Sequence, residues 1–154
     1  MIEIHVHEGV AVPHGSEQAA VRAAEAALRL AGRPLDEADV TVALTDDSEM
    51  ARLNEQFGGV SAATDVLSFE PAPSFPGAPD ELDRYLGDVV VSLPRAAEQA
   101  EAAGHSIAYE VALLVAHGTL HLLGYDDAEE VARQAMWALQ EQAAREAGGG
   151  QAQV

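Results

Sequence analysis

The chain has 154 residues and a formal net charge of −18, because 26 acidic side chains face only eight basic ones. It contains no cysteine, which excludes disulfide bonds and thiolate-bound zinc. The acidic balance argues against broad non-specific nucleic-acid binding, which depends on contacts from lysine and arginine to phosphate. A local basic groove, or a metal ion that contacts phosphate, would still be compatible with it. No apolar run approaches the length of about 20 residues that spans a bilayer, and the first residues lack a signal-peptide pattern. We therefore expect a cytoplasmic protein with no membrane partner.

Hydrophobic periodicity predicts a single α+β domain over residues 1–147, in which a mixed four-stranded sheet packs with about five helices. The predicted strands cover residues 2–7, 40–44, 66–69 and 86–92, and the predicted helices begin near Ser16, Asp46, Pro94, Ser106 and Ala128. Ser16 and Ser106 are the predicted N-caps of their helices. Residues 70–85 contain four prolines and are predicted to form a long loop, a feature that is often functional. We expect the glycine-rich tail, residues 148–154, to be disordered.

The most informative stretch is His117-Gly118-Thr119-Leu120-His121. Two histidines four residues apart lie on one face of a helix with about 5–6 Å between their Cβ atoms, so both imidazoles can reach one ion. The helix is strongly apolar before His117, and histidines on a buried helix need polar partners. Gly124 provides a helix stop, after which the turn can bring Asp126 or Asp127 back to the same ion. Two nitrogens and one carboxylate, with an open coordination position, are a donor set of catalytic zinc sites.

Gly118 separates this pattern from the metalloprotease signature His-Glu-x-x-His. In that signature the glutamate after the first histidine is the general base, and this chain has glycine there. The substitution disfavours peptide hydrolysis. It indicates either room for a bulky substrate or a close approach of the helix backbone to its neighbours.

Other acidic and histidine residues leave alternatives open. Glu110 lies two helical turns before His117 and can either orient a histidine or accept a hydrogen bond from another neighbour. His5 and His7 alternate along the first predicted strand, where they can bind a metal or simply face solvent. His105 stands beside a turn and is expected to be exposed.

Three blocks of this sequence resemble the YbeY endoribonucleases, a family of bacterial ribosomal RNA maturation factors. The stretch from His117 to Asp126 is similar to the family hallmark His-Gly-x-Leu-His-Leu-x-Gly-Tyr-Asp-His. Residues 64–69, preceded by Leu53-Asn54, and residues 86–92 resemble two further blocks, in the order and spacing of the family. The resemblance covers roughly residues 2–145, and chance agreement of three blocks is implausible.

The resemblance implies one zinc ion held by three histidines and cleavage of single-stranded RNA. It also implies roles in 16S ribosomal RNA 3′-end maturation and ribosome quality control, with the ribosome or a ribosomal subunit as partner. Carried over by position, His117 and His121 are metal ligands, and the third ligand position falls on Asp127. The expected reaction is metal-assisted phosphodiester hydrolysis, in which the ion lowers the pKa of a bound water. Asp65 and Ser68 are candidates for the group that protonates the leaving oxygen, or they satisfy backbone groups at a strand end.

Two residues depart from the family pattern. Asp127 stands where the family has histidine, so the ion and its protein ligands carry a charge of about +1 instead of +2. The bound water should then be less acidic, and manganese or another hard divalent metal should be tolerated better. Gly58 stands where the family usually has an arginine, which removes a two-pronged phosphate contact. Arg52 or Arg84 can replace that contact, or both are ordinary surface charges.

These departures keep other functions open. One is a ribosome-associated assembly factor with a weakened or silent metal site. Another is a metal-dependent hydrolase of a different substrate, and a third is a structural metal site that Asp126 closes as a fourth ligand.

Overall fold

The structure is a computed structural model that describes residues 1–57, 66–71, 84–126 and 128–148. Its strands are β1 (Ile2–Val6), β2 (Asp39–Thr45), β3 (Val66–Phe69) and β4 (Tyr85–Ser92). The α-helices in the described ranges are α1 (Ser16–Leu30), α2 (Asp47–Phe57), α3 (Leu93–Ala103), α4 (Ile107–Leu122) and α5 (Glu130–Gly148). The predicted α+β fold and its order of elements are confirmed. Most of the predicted proline-rich loop, and the tail after Gly148, lie outside the described residues.

The four strands form one mixed sheet in the order β1-β2-β4-β3. β1, β2 and β4 run parallel, whereas β3 pairs antiparallel with β4 at one edge. The register aligns Ile4 with Val42 and Val42 with Val89, so these side chains share one face of the sheet. The central positions of this face, Val42 and Val89, are completely buried.

The helix α4 lies at the centre of the domain, as its apolar sequence predicts. It contacts α1, α3 and α5 as well as strands β3 and β4. The side of α1 that faces this core consists almost entirely of alanine, and such small side chains allow neighbouring helices to approach closely. On the other face of the sheet a smaller cluster forms around Met50 of α2, Leu67 and Val90. No helix in the described part of the chain is long and apolar enough to cross a bilayer.

Side-chain caps precede α2, α3 and α4. The Oγ of Ser106 accepts a hydrogen bond from the Tyr109 backbone N–H at 3.0 Å, as predicted for the start of α4. The carboxylate of Asp46 accepts from the Glu49 backbone N–H at 2.9 Å before α2. The prediction that Ser16 caps α1 is wrong, because Ser16 is the buried first residue of that helix and Gly15, with φ of 83°, precedes it.

Gly118 is the point where α4 comes closest to the sheet. A Cβ atom at this position would lie 2.6 Å from Cγ1 of Val89 and 3.1 Å from Oγ of Ser68. Both neighbours are fully buried, and the χ1 angle of valine is stiff. Of the two roles that the sequence left open for Gly118, the structure therefore supports the close approach. A glutamate cannot be accommodated at this position without moving the helix.

We expect Gly118→Ala to destabilise the fold by about 1–3 kcal/mol through overpacking. Helix propensity alone predicts the opposite sign, since alanine is favoured over glycine by about 1 kcal/mol inside a helix. Urea denaturation of both proteins measures the difference. In a double-mutant cycle Val89→Ala should recover part of the loss, and an alanine variant as stable as the parent would contradict the packing argument.

Candidate metal centre

The two motif histidines face each other on one side of α4. The ring centroids of His117 and His121 are 4.6 Å apart, and the ring planes make an angle of 78°. Both side chains are half-buried, in contrast to the fully buried residues Ala116 and Leu120 beside them. A zinc–nitrogen bond is about 2.0–2.1 Å long, so rings at this separation can bind one ion with small rotations. The structure thus brings together the two candidate ligands that lie on one helix.

Gln140 of α5 is the partner that orients His117. Its Oε1 lies 2.9 Å from Nδ1 of His117, and the side chain is 7% exposed. Because an amide oxygen only accepts hydrogen bonds, Nδ1 donates, and the neutral ring keeps a lone pair on Nε2. Such a partner behind a ligating histidine fixes its tautomer and ring orientation.

Sequence reasoning did not identify Gln140. A signal was present, since Gln140 stands on the same helical face as Met136 and Ala143. A polar residue on an otherwise apolar face needs a buried partner. Which group meets it depends on how α5 packs on α4, and the helical pattern of α5 alone does not specify that.

The end of α4 turns the chain back beside the histidines. Gly124, with φ of 97°, donates to the carbonyl of His121 at 3.0 Å, and Tyr125 donates to the carbonyl of Leu120 at 3.0 Å. These two bonds form a Schellman motif, in which glycine takes the left-handed position. The predicted helix stop at Gly124 is confirmed.

The acidic residues after this turn differ in what the structure describes. Asp126 is exposed, and its Oδ1 accepts a hydrogen bond from the Ala128 backbone N–H at 2.9 Å. Asp127, the predicted third ligand, lies outside the described residues. Among the described residues no group of three histidines or carboxylates is placed to hold a metal. The donors that are described, two imidazoles whose ring centroids are 4.6 Å apart, are of the kind that suits a divalent ion of borderline softness.

Of the two alternatives that the sequence left open for Glu110, the structure supports a pairing with another neighbour, His105, and not with His117. The Oε1 of Glu110 lies 2.6 Å from Nε2 of His105. The two side chains are 9% and 12% exposed, respectively, so the prediction that His105 is exposed is wrong. His105 also makes an edge-to-face contact with Tyr109 at a centroid distance of 4.9 Å. Glu110 is therefore placed at the start of α4 to pair with His105, and Gln140 takes the orienting position at His117.

Ser68 connects strand β3 to α4, the helix that carries both motif histidines. Its Oγ donates to the carbonyl oxygen of Gly118 at 3.0 Å, and the side chain is fully buried. This contact agrees with the interpretation that Ser68 satisfies a backbone group. Asp65, its companion candidate for the proton donor, lies outside the described residues.

The two arginines considered for RNA contact both have partners within the chain. Arg52 pairs with Glu49, and its Nη1 also donates to Oε1 of Gln56 at 2.7 Å. The guanidinium of Arg52 lowers the pKa of the Glu49 carboxyl by hydrogen bonding. Arg84 donates to the backbone carbonyl of Asp36. Both side chains stay exposed, so an RNA phosphate would have to share or replace these partners. Gly58, the position of the missing arginine, lies outside the described residues.

The histidines of the first strand region form separate surface pairs. His5 lies 3.7 Å from Glu3, and His7 lies 3.6 Å from Glu49 of α2. Each pair offers two donors, and the described residues supply no third ligand at either place. The solvated-face interpretation of His5 and His7 agrees with this arrangement.

Comparison with known proteins gives the chain a family. The family model described as Endoribonuclease YbeY matches residues 7–148. The Endoribonuclease YbeY of Pelotomaculum thermopropionicum is 44% identical over 127 residues, which are 82% of this chain and 83% of that protein. That of Chloroflexus aggregans is 41% identical over 145 residues, 92% of each chain. That of Gloeobacter violaceus is 50% identical over 99 residues, and the match spans about half of its length, 51%.

The fold also matches a solved structure. The solution structure of TM1509 from Thermotoga maritima has a TM-score of 0.59 and 28% identity, and the match covers 97% of this chain and 90% of that one. Fold and paired histidines define an α+β protein with a candidate metal centre at a helix end. The chain belongs to the Endoribonuclease YbeY family, as its three sequence blocks predict.

We expect Gln140→Leu to weaken zinc binding about 10- to 100-fold, because His117 loses the acceptor that holds its ring and tautomer. Gln140→Glu keeps an acceptor oxygen and should retain most of the affinity. Titration of the metal-free protein against a chromophoric zinc chelator measures both. Gln142→Leu, an exposed position on the same helix, is the matched control, and an equal loss in this control would refute the role of Gln140.

Proposed function

We propose that this protein is a metal-dependent endoribonuclease that cleaves single-stranded RNA. Its expected role is maturation of the 16S ribosomal RNA 3′ end and ribosome quality control, with the ribosome or a ribosomal subunit as partner. Membership of the family supports this proposal, since the matched relatives carry the name endoribonuclease. The observation in the structure that supports it most directly is the histidine pair on α4, with Gln140 behind His117.

The residues of this chain have separate tasks in the proposal. His117 and His121 hold one zinc ion, and Gln140 keeps His117 in the tautomer that presents Nε2. The bound ion would supply Lewis acidity for phosphodiester hydrolysis. Gly118 keeps the helix close to the sheet, and the bond from Ser68 to its carbonyl holds that contact in place. The proton donor to the leaving oxygen is proposed to come from the block that contains Asp65.

Asp127 is the proposed third ligand because it occupies the family position immediately after the turn. Two histidines and one carboxylate are a known catalytic zinc set. The carboxylate lowers the charge of the ion and its ligands by one unit and favours harder ions such as manganese more than a third histidine would. Zinc with some tolerance for manganese is therefore the expected metal specificity.

Replacement of Asp127 by alanine should reduce bound zinc below one ion per chain, since only two protein donors remain. Asp127→His restores the donor of the family pattern and should bind zinc at least as tightly as the parent. Elemental analysis after dialysis measures the stoichiometry. The neighbouring variant Asp126→Ala serves as control, and full zinc occupancy in Asp127→Ala would show that the ligand assignment is incorrect.

Single-stranded RNA is the proposed substrate because a flexible strand can bend a phosphate into a half-buried site, whereas a duplex resists that bend. Arg52 and Arg84 remain proposed phosphate contacts in the absence of the family arginine. Each would have to give up the partner that it has within the chain.

A cleavage assay tests the activity. The zinc-loaded protein should cut a labelled single-stranded RNA and leave the matching duplex intact, and His117→Ala should reduce cleavage to the level of the uncatalysed reaction. His14→Ala, which changes an exposed histidine outside the His117–His121 motif, should retain full activity. If the parent and His117→Ala cleave equally, a contaminating nuclease is responsible and the proposal loses its support.

The two departures from the family pattern favour one competing function, an assembly factor that binds the ribosome with a weakened or silent metal site. It predicts that the parent protein associates with ribosomal subunits but that zinc produces no cleavage. The same assay, run beside Asp127→His, separates the two functions. Cleavage by Asp127→His alone would assign the parent to the silent class.

A further inference from the structure

Trp137 is a large aromatic side chain that the core does not use. It is the only tryptophan in the chain, and it lies on α5 with 49% of its surface exposed. The neighbouring Met136 is completely buried, so Trp137 stands where the buried side of α5 meets solvent. A tryptophan in such a position has a free ring surface that can stack on another planar group.

The helical geometry of α5 places Trp137 on the flank of the metal centre. Each residue turns a helix by about 100°, so Trp137 lies about 60° to one side of Gln140, which binds His117. Glu146 lies on the opposite flank, about 180° from Trp137, where it pairs with Arg29 of α1. One flank of α5 therefore faces α1, and the flank that carries Trp137 lies toward the histidine helix.

The direction of the two helices places Trp137 beside the histidine pair. Only seven residues separate α4 from α5 in the sequence, and the two helices contact one another; adjacent helices with so short a connection run antiparallel. Residues earlier in α5 therefore lie next to residues later in α4. Trp137 precedes Gln140 by about one turn of α5. It therefore lies beside the part of α4 that follows His117, where His121 is located.

Arg133 stands one turn before Trp137 on the same flank, since residues four apart share a helix face. It is exposed, and its guanidinium has no carboxylate partner among the residues that the structure describes. Other arginines are engaged by acidic or backbone oxygens, namely Arg29, Arg52, Arg84, Arg95 and Arg145. Arg22 and Arg33 likewise have no such partner among the described residues, so Arg133 is one of three arginines without an acidic or backbone oxygen partner there, in a chain of net charge −18. Its position on α5, and not the missing partner alone, sets it apart from the other two.

We propose that Trp137 and Arg133 bind the RNA strand next to the metal centre. The indole of Trp137 stacks on a base, and Arg133 contacts a neighbouring phosphate. Stacking on an aromatic ring accepts every base, so it holds a single strand without sequence preference, and Arg133 supplies local positive charge in an acidic protein. This inference rests on the proposed function, because it names how that site holds its substrate.

The intrinsic fluorescence of Trp137 tests the stacking directly, since no other tryptophan contributes. A short single-stranded oligoadenylate, added in the presence of EDTA to prevent cleavage, should quench the emission. Trp137→Leu should weaken binding of the fluorescein-labelled oligoadenylate about 5- to 150-fold, the loss expected for one stacked base. Trp137→Phe should retain most of the affinity. Arg133→Gln should reduce the slope of log affinity against log salt by about 0.7, the value for one phosphate contact to a single strand.

Two control variants lie on the same helix. Val131, which is 80% exposed, lies about 180° from Gln140, so Val131→Ala should leave affinity unchanged. Arg145 pairs with Glu141 at 3.8 Å, and Arg145→Gln should leave the salt slope unchanged.

The outcomes separate this inference from the proposed function. If the parent binds and cleaves RNA while Trp137→Leu binds equally well, the inference is overturned and the endoribonuclease proposal stands. If Trp137→Leu instead changes the sedimentation coefficient with no loss of RNA affinity, Trp137 belongs to a protein interface and the inference also fails. If the parent shows neither quenching nor RNA binding in EDTA but the zinc-loaded protein still cleaves RNA, the inference fails and the endoribonuclease proposal stands. If the zinc-loaded protein also fails to cleave, both proposals fail.

Discussion

The packing of α4 against the sheet at Gly118 is the contact on which the rest of the structure depends. A missing side chain at Gly118 lets the helix come within van der Waals distance of Val89, and Ser68 fastens the same point through a hydrogen bond. All three positions are fully buried. Because protein interiors are close-packed, this contact fixes the height of α4 above the sheet and with it the position of both histidines. If α4 lay further from the sheet by the width of one methyl group, both imidazoles would be displaced by a similar distance.

At the candidate metal centre, a polar side chain, His117, is held in place by a residue that is itself buried in the apolar core. His117 is a rotatable ring, and it is held by an amide from a different helix, Gln140, whose own surroundings are apolar. A buried amide without a partner would be costly, so the pair stabilises both side chains together. The Schellman motif at Gly124 has the corresponding task at the other end of the site, because its two backbone bonds set the direction in which the next residues leave the helix.

Charge poses a problem for an acidic protein that acts on a polyanion. Four of the eight arginines, all in the described part of the chain, pair with carboxylates of the same chain, as Arg52 does with Glu49. Such surface pairs contribute little to stability, but they lower the positive potential that RNA would encounter. A metal ion and one unpaired arginine near it would concentrate positive charge at the place of reaction, while the remaining surface repels RNA. Such an arrangement would favour strands that enter the site over strands that bind elsewhere.

The sequence by itself determined the type and order of the elements and the family. Some features depend only on neighbours within one helix or strand, so local patterns predict them. These are the strands at residues 2–7 and 40–44 and the caps at Ser106 and Asp46. The histidine pair and the stop at Gly124 are local for the same reason. Ser16 was predicted wrongly because Gly15 also ends the preceding turn, and residue preference alone does not rank the two.

Only the tertiary structure decided which partners the side chains have. Glu110 lies two turns from His117 on one helix, yet it pairs with His105. Gln140 is 23 positions away in the chain, yet it binds His117. The reason for the glycine at position 118 lies likewise in β4 and not in α4. Contacts between elements depend on packing angles and distances that many sequences of the same pattern could realise differently, so they become visible only when the chain is folded.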